Sequence, residues 1–302
     1  MYFGDTDRTG NASDTAWKAY GLDIDGKVTG ASSTNTCTLV PGSVCQMQLD
    51  GDDGIDNSFG SNLLPIFLFG NSMYSSDANE QIQKGGSTML VKLEGLGSSA
   101  SYSLLPGATY RAMPAAQTPK WNGTDVRNVD EVSLVGGDIS KPIALMANGY
   151  MNDRVWVGGV ASGTAYLDLQ LKGGNGSAFL PPIRVQHVQV AMQVASGNAS
   201  ATSGVLSGVA RTEDVVAWVA LWAGNISTSL CTGSAFQSLA TQMEQTSDIM
   251  ADGSNEPGRQ CDGISFGLGF DAVQVQLGKS EAAPPVVNPC EDGGMDAQTD
   301  GE

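Results

Sequence analysis

Four carboxylates and one amide are packed into eight residues at Asp50-Gly-Asp-Asp-Gly-Ile-Asp-Asn57. Asp50, Asp52, Asp53, Asp56 and Asn57 are hard oxygen donors, and Gly51 and Gly54 permit the tight turn that would gather them. This is the ligand chemistry of calcium. Carboxylates so close together repel one another unless a divalent cation neutralises them. The competing reading is a solvated acidic turn. The spacing is not that of an EF-hand, since Gly54 stands at position five of that register and no glutamate stands at twelve.

Other reactive residue types are scattered. Asp248, Asp252, Ser254, Asn255 and Glu256, ahead of Cys261-Asp262, are a second candidate for the same ion, against the better reading of an exposed polar loop tied down by a disulfide. Asp23 and Asp25 share one face of an expected strand and lack the acid–base partner a glycosidase needs. His187 is the sole histidine. A Ser–His–Asp hydrolase would have to use it, but no Gly-x-Ser-x-Gly elbow supplies the serine. A structural histidine at an irregular strand position is expected. Gly263 to Gly269 lies in a strand pattern, without the following helix that dinucleotide binding needs. Trp121, beside Asn122 and Asp125 in a polar loop, is a candidate for stacking on a sugar ring, against the commoner role of a loop anchor. Asn11, Asn122, Asn175, Asn198 and Asn225 head Asn-x-Ser/Thr triplets, which a chain so rich in these residues contains by chance.

The elements that would position these groups are mostly strands. Period-2 alternation marks Tyr20 to Val28, Met89 to Glu94, Ala165 to Lys172, Val188 to Val194 and Phe266 to Leu277, the last with a phase slip at Asp271–Ala272 that implies a bulge. Thr212 to Gly224 has an N-cap residue, acids in its first turn and a glycine stop, the marks of a buried helix, with a buried strand as the rival reading. Ser234 to Met250 has helical spacing and ends at Asp252-Gly253. Met113 to Pro142 is a long turn-rich loop.

The 302 residues are 41% hydrophobic and only 16% charged, with 39 glycines. That balance favours strands and turns over charged surface helices. A net charge of −17 and a pI near 4.2 exclude a nucleic-acid partner, which needs a basic face. No stretch reaches the run of about 18 apolar residues that spans a membrane. Residues 1–15 lack the basic and apolar regions of a signal peptide, so an exported form implies a trimmed or incomplete chain. The five cysteines lack zinc-site spacing. Cys37–Cys45 and Cys231–Cys261 are the expected disulfides, with Cys290 left unpaired.

The acidic run resembles the Asp-Gly-x-Asp-Asn portion of thrombospondin type 3 calcium repeats, although Leu49 and Gly51 replace two of that repeat's aspartates. Three wider segments are Gly21-Leu-Asp-Ile-Asp-Gly-Lys-Val28, Asp50 to Gly60, and Ser247 to Gly253 leading into Cys261 to Phe270. Together they resemble the uncharacterised secreted proteins and lipoproteins of myxobacterial type. That resemblance implies export and a cell-envelope location, and brings no catalytic residues. The chain lacks the signal peptide and lipid-accepting cysteine of such proteins.

The expectation is a mainly β chain: an antiparallel, jelly-roll-like β-sandwich with a helical pair inserted near residues 212–250. Residues 1–15 form an extended lead-in, 16–279 one domain and 280–302 a disordered acidic tail. The expected role is a secreted or envelope-anchored, non-catalytic module with a calcium-stabilised loop. Its partner would be a glycan or another envelope protein. A carbohydrate-binding module and a carboxylate-based hydrolase are the alternatives.

Overall fold

Alternation along β8 (Ile183–Val194) places Ile183, Val185, Val188, Val190, Met192 and Val194 on a buried face. The alternation slips at His187, which adopts φ +53 where the register with the neighbouring strand shifts, a bulge in a central strand. The computed structural model describes residues 1–44, 48–68, 74–160, 164–167, 182–231, 233–285, 288 and 290, with backbone alone at 164–167 and 225–226. The remaining strands are β1 (Thr88–Leu93), β2 (Gly107–Ala112), β3 (Val126–Asp130), β4 (Ala144–Met146), β5 (Tyr150–Asn152), β6 (Val155–Gly159), β7 (Thr164–Leu167), β9 (Ser200–Arg211), β10 (Gly263–Val273) and β11 (Gln276–Glu281).

They form two mostly antiparallel sheets. One runs β1-β2-β3-β11 with β4 also on β2, and β3–β11 is its parallel pair. The other runs β10-β9-β8-β6-β5 with β7 also on β8. The sheets meet at Trp156 of β6, whose Nε1 donates to the Leu105 carbonyl at 2.9 Å. A Cβ at Gly107 of β2 would sit 2.5 Å from its ring, so only glycine fits there.

Among the described residues there are four α-helices. A π-helical turn at Phe59–Leu63 runs into α1 (Leu64–Phe67), and α2 (Tyr74–Gln83) follows. Helix α3 (Thr212–Ile226) buries Val215, Trp218, Val219 and Ala223 and packs on β8, β9 and α4 (Ser234–Glu244). No helix among the described residues is long and apolar enough to cross a membrane.

Several expectations hold: β1, the bulged β8, α3, and the slip in β10, where the register with β9 shifts between Phe270 and Ala272. Others are corrected. Tyr20 to Val28 is not a strand, because Gly21 and Gly26 take φ +128 and +75 and the aspartates between them cap their own turns. Helix α4 ends at Glu244: the Thr246 and Ser247 hydroxyls donate back to the Met243 and Glu244 carbonyls, and Ile249 bridges to Gly263. The loop 113–142 contains β3, with Arg127, Val129 and Asp130 buried. Residues 1–15 are anchored by Phe3, fully buried with its ring 4.8 Å from that of Tyr74. The strand expected over 165–172 is described through Leu167, and its remainder lies outside the described residues, as does most of the expected tail.

The cysteine pairing is also corrected. Cys37 bonds to Cys261, with Cα atoms 5.2 Å apart, because Thr38 pairs with the 259–261 backbone and carries Cys37 against it. Cys231 bonds to Cys290, which is therefore not unpaired. Cys45 lies outside the described residues.

Candidate cation centre

Two irregular segments build the site, residues 21–30 and 48–58. Gly54, at φ +87, lets them touch: a Cβ there would lie 2.7 Å from the Lys27 carbonyl and 3.4 Å from Asp23 Oδ2. Asp56 is the pivot. It is 3% exposed, and its Oδ2 accepts from the Ile24 N–H at 2.6 Å, so the first segment wraps around its carboxylate. Asp23 Oδ1 accepts from the Gly26 N–H and Asp25 Oδ1 from the Lys27 N–H, which fixes both carboxylates on the same turn. One oxygen from each of Asp23, Asp25 and Asp56 then lies within 4.8 Å of the others.

Of the acids in the Asp50–Asn57 run, only Asp56 joins this triad. Asp50 stands beside it with Oδ2 accepting from the Thr29 N–H, and its charge acts on Asp56. Asp52 and Asp53 are exposed on a 3-10 turn and belong to no group of three close acids among the described residues. Asn57 is 1% exposed with both ends of its amide in use. Its Oδ1 accepts from Gly60 and Gly267, and its Nδ2 donates to the Trp17 and Tyr20 carbonyls. It clasps β10 and has no oxygen lone pair left for an ion. Asp23 and Asp25, set aside as strand-surface residues, stand with Asp56 in the group whose oxygens could hold a metal ion. The signal for them was the Asp-x-Asp-Gly turn chemistry.

The electrostatics are severe. Burial pushes the Asp56 carboxyl up to about 9, and the charges of Asp248, Asp25 and Asp50 push the same way against the Ile24 N–H. Burial likewise raises Asp50 to about 7 and Asp248 to about 7. Asp248 is bound through Ser265, by N–H at 2.9 Å and Oγ at 2.5 Å. Among the described residues no Lys or Arg pairs with any of these five acids. Lys27, on the same turn, spends its Nζ on the Asn35 and Asn255 carbonyls. Asp25 Oδ2 is buried and has no hydrogen-bond partner among the described residues. A buried carboxylate oxygen with no donor, among like charges, suits a hard cation.

The other sequence candidates have structural roles. Trp121 donates its Nε1 to the Gln83 carbonyl and lies over Arg127 at 5.6 Å, while Asp125 Oδ1 caps the Lys120 N–H, so this loop is anchored to α2 and β3. Asn122 caps Thr124. Asn255 Oδ1 accepts from the Cys37 N–H, Asp252 caps Ser254, and Asp262 accepts from Ala251.

Compared with known protein families, curated proteins and solved structures, the chain matches none.

Proposed function

We propose that the chain is a non-catalytic, sandwich-like β module whose acidic loops are locked by one divalent cation held between Asp23, Asp25 and Asp56. Asp50 and Asp248 lie outside that ligand set and deepen its negative potential. The orphaned, buried Asp25 Oδ2 carries this reading. Calcium is the preferred ion, because it accepts irregular all-oxygen sites, whereas magnesium demands a strict octahedron and keeps its waters. Two disulfides suit an extracellular or cell-envelope setting, where calcium is plentiful. The role that follows is structural or adhesive, toward another envelope component.

Thermal unfolding in calcium and in chelator tests the reading. At a hundredfold excess over the dissociation constant, a folded-state ligand adds about 2.7 kcal/mol. For a chain of this size that raises Tm by about 4 °C. The double variant Asp23→Asn, Asp25→Asn should lose that response. A Tm indifferent to millimolar calcium and to chelator would remove the cation from the proposal.

A further inference from the structure

A cleft of about 620 Å³ opens between the two sheets, and none of the acid-cluster residues lines it. Its walls come from both sheets: Met89 and Val91 of β1, Met192 and Val194 of β8, Phe270 of β10 and Leu277 of β11. Met192, Val194 and Phe270 are buried, while Met89 and Val91 are half-buried against the main core. Leu277 and the neighbouring Val273 stand exposed at its side. The volume falls within the roughly 300–1,000 Å³ of small-molecule sites, which are characteristically apolar with a few polar groups at the rim. Here the rim offers the amides of Gln83 and Gln274, neither hydrogen-bonded through its side chain to any described residue.

The charged groups of the cleft are already satisfied. Lys92 pairs with Glu94 at 2.6 Å. Asp271 accepts from the Tyr2 hydroxyl at 2.8 Å and the Ser203 N–H at 3.1 Å, and Arg8 lies 3.8 Å away. The Met1 amine donates to Asn79 Oδ1, and burial lowers it to about 6. A ligand bringing its own charge would find no free counter-charge and would lose its hydration without return. An uncharged head meets two free amides.

We propose that this cleft binds a single-chain, uncharged amphiphile: an apolar tail between the sheets and a hydroxyl-type head at Gln83 and Gln274. The proposal is independent of the cation centre.

The probe is N-phenyl-1-naphthylamine, an uncharged apolar fluorophore, displaced in turn by decanol, decanoate and decyltrimethylammonium. The three competitors share a chain and differ in head charge. Saturable fluorophore binding is expected, with decanol displacing it at a concentration about tenfold below either ion. Val91→Trp should fill the cleft and weaken fluorophore binding about tenfold. Leu277→Trp, at a wall position whose side chain is exposed, makes the same test if the first variant fails to fold. Absence of saturable binding, equal or better displacement by a charged competitor, or unchanged affinity in a folded cleft variant would each overturn the proposal.

Discussion

At the scale of single residues, the chain places Asp56 where a carboxylate is costly to ionise. Its folded form holds a proton far above the ordinary 3.8, so the folded state binds more protons than the unfolded chain between about 4 and 9. Stability in chelator is therefore fullest at low pH and falls as pH rises through that window. Asp50 and Asp248, both raised to about 7, act with the same sign. In the proposed centre calcium would take the proton's place, so saturating calcium should flatten the fall, and Asp56→Asn should remove its part above pH 7 without calcium. Tm measured from pH 5 to 9 with and without chelator checks this. A flat chelator profile for the unaltered chain would show that the acids are not strained. The sequence displayed an acidic cluster here, and of its acids only Asp56 stands in the triad of close carboxylates among the described residues. Asp52 and Asp53 belong to the same run as Asp56, yet the 3-10 turn swings them into solvent. Asp23 and Asp25, some thirty residues earlier, arrive through the backbone bond from Ile24 to Asp56. A contact of that kind leaves no local pattern.

At the scale of elements, the acidic segments also seal the free edge of β10, which would otherwise present unpaired N–H and C=O groups. Tyr2 exchanges backbone bonds with Gly269, Asn57 Oδ1 accepts from Gly267, and Asp248 Oδ1 accepts from Ser265. Gly267 permits the approach, since a Cβ there would lie 2.1 Å from the Tyr20 carbonyl. Asn57→Ala should leave the Gly60 and Gly267 N–H groups and two carbonyls without this partner. It should cost about 2–4 kcal/mol in calcium and in chelator alike. Denaturant titration measures it, and a loss under about 1 kcal/mol would mean that water replaces the clasp. The long periodic strands and α3 were legible because burial imposes one clear period on each. The run from Phe59 to Gln83 was not. Gly60 is there for its close approach to Trp17, and Pro65 sits in the first turn of α1, where a missing N–H is tolerated. Both residues look like breakers in the sequence alone.

At the scale of the whole molecule, composition correctly indicated a β-rich chain, while cysteine spacing misled. Short loops close cheaply in an unfolded chain. The folded backbone instead brings Cys37 to Cys261 across 224 residues, beside the segment whose Asn255 carbonyl receives Lys27. That bridge holds the two acidic regions in one neighbourhood, so disulfide and cation would act on the same loops. Within this arrangement the cation centre is the central claim, and anomalous scattering from crystals grown in calcium tests it most directly. One calcium peak is expected, with an oxygen from each of Asp23, Asp25 and Asp56 about 2.3–2.6 Å away. A peak over the Asp50–Asp53 turn instead, or none at that triad in saturating calcium, would contradict it.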